Sequence, residues 1–367
     1  MNTASTLETK PDFARTMERM EAWWHCQVID RAVVQMYVKP TKPCTWPKGE
    51  HETLRQRWMD VEFQARLALA EAVRRDYVAD SFPMWMPNLG PEILATLYGV
   101  DLEFGDKTSW SKPILHDGSQ WAEVVKIQPD FHNVYWQTIE QLMDCGLELG
   151  RGKYLVGVPD LHGSMDILAA LREPQELCID LLEYPQDVQA AGMHFSQGFV
   201  EAFNRCVQKL KAHGQPITTW LHILHEGPCY IPNCDFWCML SPQVGRDMAA
   251  PMTRVEMQPM ARSIYHLDGP DALRHLDTVL ELPGLNGVQF ICGAGKGPAA
   301  KWLDVYKRCL AAGKCVHIDA QGPEDAMMVL RALGPEGLKV NVGHAFPDVA
   351  SAQAFVKDVA KVTKAEI

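Results

Sequence analysis

The chain has 367 residues, 47% of them hydrophobic and 22% charged, with a formal net charge of -11 at pH 7. That acidic balance argues against nucleic-acid backbones and anionic membranes as partners, since both select basic surfaces. The length suits one α/β barrel with extra helices and does not require two domains.

The opening "MNTASTLETKPDFARTMERMEAWW" has no apolar run behind a basic one, so no secretory signal is expected. "FARTMERMEAWWHCQVID" reads as an amphipathic helix with Phe13, Met17, Met20 and Trp24 on one face. "ETLRQRWMDVEFQARLALAEAVRR" predicts a second, long helix. "YVADSFP" reads as a strand ending at Asp80, and "EILATLYG" as a helix stopped by Gly99. From there strand-like and helical runs alternate. "KYLVGVPDLHG", "ITTWLHILHEG", "SIYHLDGP", "GVQFICGAG", "KCVHIDAQG" and "LKVNVGHAFP" each precede a helical segment, the second through the loop "PCYIPNCDFWCMLS". No stretch reaches the roughly eighteen uninterrupted apolar residues of a membrane span.

Repeated strand-loop-helix units imply parallel pairing through right-handed crossovers. The expected fold is a single (β/α)8 TIM barrel spanning 76–367, with residues 1–75 as a helical extension packed on it. No dinucleotide fingerprint follows a first strand, and "CGAGKG" lacks the spacing and Ser/Thr of a phosphate loop. The eleven scattered cysteines read as reduced thiols in a cytoplasmic protein. Cys229, Cys234 and Cys238 fit no common zinc spacing and read as packing groups beside Phe236 and Trp237.

In a barrel the loops after the strands form the mouth. Residues at those positions are Asp80, Asp160, His162, His222, His225, Glu226, His266, Asp268, Gln289, Cys292, His317, Asp319, Asn341 and His344. Singly, each could cap a helix or satisfy a loop. As a ring of histidines and carboxylates they suit divalent-metal binding or acid/base work. Within "SFPMWMPNLGP", Met84 and Trp85 could wall an apolar ligand pocket. No nucleophile sits in a G-x-S-x-G elbow, so acyl transfer has no support.

"CDFWCMLSPQVGRDMAAPMTR", "VNVGHAFPDVASAQAFVKDV", "YHLDGPDALRHLDTVLELPGLNGVQF" and "GVPDLHGSMDILAALREPQELCIDLLEYPQDV" resemble the uroporphyrinogen decarboxylase superfamily, which includes zinc-using cobalamin-dependent methyltransferases. The resemblance runs through most of the chain after about residue 15 and implies the same barrel. It matches His344 to an active-site histidine and Asp235 to a loop aspartate, and it places Asp80 near an essential strand-end aspartate. The decarboxylases' Arg-rich N-terminal segment is replaced by "AWWHCQVIDRAVVQMYV", which offers only Arg31, so a tetrapyrrole with many carboxylates would lack counter-charges.

In the methyltransferase branch a His-x-Cys and a later Cys hold zinc. The resemblance puts His317 and Asp319, then His344, in those places, exchanging thiolates for harder donors. The leading expectation is a zinc-dependent methyltransferase that moves a methyl group from a small methoxylated aromatic to cob(I)alamin. The cobalamin would sit on a separate corrinoid protein, because the chain lacks a D-x-H-x-x-G carrier loop. Asp80, Asp160, Asp235, His266 and Asp268 are the catalytic candidates. Met84, Trp85, His162, His222, His225, Gln289 and Asn341 are the substrate-binding ones. Alternatives are a metal-independent decarboxylase or lyase for a small acid, and a non-enzymatic tetrapyrrole- or corrinoid-binding barrel. A homo-oligomer is compatible with all of these.

Overall fold

The computed structural model describes residues 6–364. Its strands are β1 (Val33–Val38), β2 (Met84–Trp85), β3 (Asp101–Phe104), β4 (Ser109–Lys112), β5 (Leu155–Val156) and β6 (Ile217–Thr218). They continue with β7 (Leu224–His225), β8 (Cys229–Tyr230), β9 (Arg262–Asp268), β10 (Gly287–Ile291), β11 (Cys315–Ala320) and β12 (Leu338–Phe346). Six form one parallel sheet in the order β1-β12-β11-β10-β9-β8. Helical segments follow each of β9 to β12, so the sheet is covered and reads as apolar runs such as "GVQFI" and "CVHIDA".

The protein is therefore α/β, with a six-stranded parallel sheet curled as a half-barrel where eight regular strands were expected. Short pairs continue around from it. β2 pairs with β5 in parallel, Asp80 N donates to Val34 O at 3.0 Å, and Val158 N donates to Thr218 O at 2.9 Å. "ITTWLHILHEG" is not one strand. β6 and β7 pair antiparallel, and Trp220, Leu221 and His222 form the turn between them.

Other departures are local. The expected helix over 52–75 is broken at Asp60, which ends α2 (Leu54–Met59) and caps α3 (Val61–Arg74) by accepting from Phe63 N. Its extended backbone and side-chain cap favour a new helix start over continuation. "EILATLYG" makes a 3-10 helix, Ile93–Tyr98, closed by Gly99 at φ 96°. β1 lies within the stretch expected to be a helical extension. Ahead of it, α1 (Phe13–Trp24) stoppers the sheet's N-terminal end: Trp23 Nε1 donates to Gly337 O and Trp24 Nε1 to Leu224 O. Among the described residues no helix is long and apolar enough to cross a membrane.

"YVADSFP" is a loop running beside β1, and Asp80 is wholly buried in it. Its carboxylate accepts from Arg31 twice, from Arg19 Nη1 at 3.1 Å and from Val34 N at 2.9 Å. A charge so buried is tolerable only because its partners surround it. Asp80→Ala would strand two guanidinium groups, and a loss of about 3–5 kcal/mol is expected, read from the urea midpoint. Intact stability with lost turnover would instead return Asp80 to the catalytic machinery.

Lys339 on β12 is likewise unexposed. Burial lowers its pKa to about 7, against the attraction of Asp319 and Asp80. The unfolded chain, with lysine at about 10.5, binds more protons between these values, so this group's contribution makes stability rise with pH across that window. Lys339→Met is expected to flatten the rise in urea midpoints taken from about pH 6.5 to about 9.5. A variant profile parallel to that of the unaltered chain would contradict the lowered pKa of Lys339.

Candidate functional site

The C-terminal ends of the sheet strands open on a cavity of about 550 Å³, within the range of small-molecule sites. Gln35 and Tyr37 line it from β1, Gln289 from β10, His317 and Asp319 from β11, and Asn341 and His344 from β12. Phe82, Tyr77, Trp220 and His222 complete the wall from loops. His344 is at the exposed rim, its ring edge-on to Phe346.

Strand register puts these polar groups in rows. Gln289 is level with His266 and with His317, and His317 is level with Lys339. Two residues on, Asp319, Asn341 and Gln35 are level with one another. In-register side chains of parallel strands share a face, so the rows form one hydrogen-bonded string. Lys339 Nζ donates to His317 Nδ1 at 2.8 Å and to Leu221 O at 3.1 Å. With Nδ1 accepting, His317 Nε2–H faces Asp319 Oδ1 at 3.3 Å. Asn341 also donates to Asp319 Oδ1, and Gln289 Nε2 to its Oδ2, both at 2.8 Å. That fixes the Gln289 amide, whose Oε1 accepts from His266 Nδ1 at 2.8 Å. His266 Nδ1 is therefore the donor of this bond, which in the neutral ring leaves the lone pair on Nε2.

The charges follow from these contacts. Burial and the neighbouring ammonium lower the His317 pKa, so its imidazole is neutral. Burial would raise the Asp319 carboxyl, but the adjacent His317 and the bonds from His317, Asn341 and Gln289 hold it well below the usual carboxylate range.

Ligand atoms of Asp235, His266 and Asp268 lie within 4.8 Å of one another, the one such His/Cys/Asp/Glu group among the described residues. Asp268 ends β9, and Asp235 opens the 3-10 helix Asp235–Met239. That helix is anchored by Asp166, which accepts from Asp235 N and Phe236 N. Beside it, His162 is 3.5 Å from Asp160, 3.7 Å from Asp166 and 3.9 Å from Asp235. Burial works against its charge, but the three carboxylates outweigh it and lift its pKa to about 10. Imidazole with two carboxylates is a donor set that zinc and other first-row divalent ions accept.

The expected trio of His317, Asp319 and His344 is not drawn together in this way. Both His317 nitrogens are engaged by protein partners, which leaves none for a metal. Asp80 is held by arginines outside the cavity lining. Met84 and Trp85 also lie outside it, packed towards Gly157 and Gly146. His225 lies on β7 facing Glu21 of α1, 3.6 Å away. Cys229 and Cys234 are buried, as the packing reading expects, whereas Cys238 is exposed and donates to Asp235 O. Sequence reasoning missed Lys339, Gln35, Trp220 and Asp166. Lys339 and Gln35 were recoverable from period-two alternation in "LKVNV" and "VVQMYV"; Trp220 and Asp166 had no signal of that kind.

No known family profile matches the chain, and no curated protein does. Among solved structures it is similar to a methyltransferase from Methanosarcina mazei, with 11% identity over 94% of this chain and 98% of that one, at a TM-score of 0.59. A candidate alpha-L-fucosidase from Bacteroides thetaiotaomicron matches at 7% identity over 91% and 95%, with a TM-score of 0.29 too low to carry an argument. At these identities the likeness to the methyltransferase is one of fold.

Proposed function

We propose that the chain is a methyltransferase-type enzyme. It takes a methyl group from a small methoxylated aromatic bound in the cavity and delivers it to cob(I)alamin on a separate corrinoid protein. A divalent metal, zinc in this reading, is held by Asp235, His266 and Asp268 in place of the sequence-expected His317, Asp319 and His344. The shared fold with the Methanosarcina methyltransferase supports the reaction class. The observation that carries the reading is His266, whose Nδ1–H is taken by Gln289 and whose ring has a nitrogen within 4.8 Å of carboxylate oxygens of Asp235 and Asp268. Metal-binding histidines are typically oriented in this way through their other nitrogen.

When bound, such a metal supplies Lewis acidity for a substrate ether oxygen. The chain's own residues do the rest. Gln289 holds the His266 tautomer, and Asp166 fixes the start of the Asp235 helix. Trp220, whose ring is 5.2 Å from that of His266, joins Phe82 in walling the cavity against water. One equivalent of zinc is expected in protein purified without chelator, lost in His266→Ala. Gln289→Leu should weaken metal binding by roughly 10–100-fold with the fold intact. Metal retained in full by His266→Ala, or absent from the unaltered chain, would refute the site.

A second reading, a metal-independent decarboxylase or lyase for a small acid, is favoured by the Lys339–His317–Asp319 array in the cavity floor, whose lysine pKa is near 7. Turnover of a small carboxylate that survives EDTA would select it.

A further inference from the structure

The turn between β6 and β7 does more than connect them. His222 has φ 50°, a left-handed conformation in which a side chain with a Cβ is strained. Among the described residues three other non-glycines share a positive φ, Cys26, Ala79 and Glu173, and none of those lines the cavity. Such strain persists only where the surroundings impose it, and it gathers at functional positions. Here they do impose it. Lys339 Nζ binds Leu221 O, Gln35 Nε2 binds His222 O at 2.8 Å, and His222 N binds Thr219 O at 2.8 Å. Leu221 is buried by this arrangement, and the His222 side chain is presented to the cavity.

The chemistry it presents is fixed. Its Nδ1 is 3.1 Å from Trp220 O, a carbonyl that can only accept, so the proton is on Nδ1 and Nε2 is an acceptor. Nε2 has no protein partner among the described residues. Gln35 spends both amide hydrogens, on Asp80 O and His222 O, which leaves its Oε1 without a protein donor as well. Burial and the charge of Lys339 push the His222 pKa down, so the ring stays neutral. Lys339 is taken by His317 and Leu221, whereas Arg75, which also lines the cavity, bonds Glu71 and covers the face of Tyr37 but keeps a buried Nε–H without a partner among the described residues. Two acceptors without a protein donor suit a ligand that brings a hydrogen-bond donor.

We propose that His222 is a substrate-facing, specificity-determining residue, and that it selects aromatic substrates bearing a hydroxyl group, which donates to His222 Nε2 with Gln35 Oε1 as the neighbouring acceptor. This deepens the preceding reading only in taking the same cavity as the substrate site; it needs neither the metal nor the corrinoid protein.

The test is equilibrium binding of 2-methoxyphenol and methoxybenzene to the full chain, with and without one equivalent of zinc. The unaltered protein should bind 2-methoxyphenol about tenfold or more tighter than methoxybenzene in both conditions, because a ligand lacking the hydroxyl leaves the acceptors unpaired. His222→Gly removes the side chain at a backbone conformation glycine adopts freely, so it should fold at least as stably while the preference collapses to about threefold or less. His222→Asn, tolerant of the same φ and carrying an acceptor oxygen, should recover part of it. Equal binding of methoxybenzene, no binding of either ligand, or an unchanged preference in His222→Gly would each overturn the proposal. Loss of methyl transfer with the preference intact would instead count against the metal reading alone.

Discussion

Lys339 has no surface in contact with solvent, and the layout of the cavity follows from how its ammonium is satisfied. An unpaired buried ammonium is prohibitively unfavourable, so it must find acceptors within the sheet. It finds two, the Leu221 carbonyl and His317 Nδ1. Each contact then constrains the next. His317 must present its Nε2–H to Asp319, Asp319 is left to accept from Asn341 and Gln289, and Gln289 has only its oxygen to offer His266. At the other end the bond to Leu221 O holds the turn that carries His222. One buried lysine thus orients His266 behind the cavity's Gln289 and helps to pin the conformation of His222 on its wall.

Parallel pairing is what lets so short a string reach across the sheet. Neighbouring strands lie about 4.8 Å apart, close enough for level side chains to touch. The strands of covered parallel sheets are normally apolar on both faces. β9 to β12 depart from that on one face only, at His266, Gln289, His317, Asp319, Lys339 and Asn341, while Tyr265, Val288, Ile318 and Val340 keep the alternate positions buried and mostly apolar. A polar network in such a setting stabilises only if each member is satisfied. His222 Nε2 and Gln35 Oε1 stand apart from the rest, cavity acceptors with no protein donor among the described residues.

Strand ends carried much of this in the sequence. His266, Asp268, Gln289, His317, Asp319, Asn341 and His344 were legible because a strand running into a loop puts successive inward residues at the mouth. Roles were less legible than places. The resemblance put a metal on His317, yet tautomer and occupancy depend on Lys339, two residues before Asn341 on another strand. Asp80 reads as a strand end from its neighbours alone; its partners Arg19 and Arg31 are far off in sequence, and Ala79 turns the backbone left-handed at φ 57° just before it. "ITTWLHILHEG" has the composition of one strand, but Lys339 and Gln35 stabilise a turn in its middle. Tertiary hydrogen bonds outweighed local propensity there.

Both the buried lysine and the left-handed histidine are unfavourable for stability when taken alone, and each makes the other tolerable. Without Lys339 the Leu221 carbonyl would lack a donor, and the turn would lose an anchor that keeps His222 strained. Without the turn, Lys339 would lose one of its two acceptors. Such mutual dependence gives a cavity whose acceptors are set before any ligand arrives, so less ordering is required on binding. It also ties the cavity to the sheet: a change at Lys339 should reach the His222 wall and, through His317, Asp319 and Gln289, the His266 ring together.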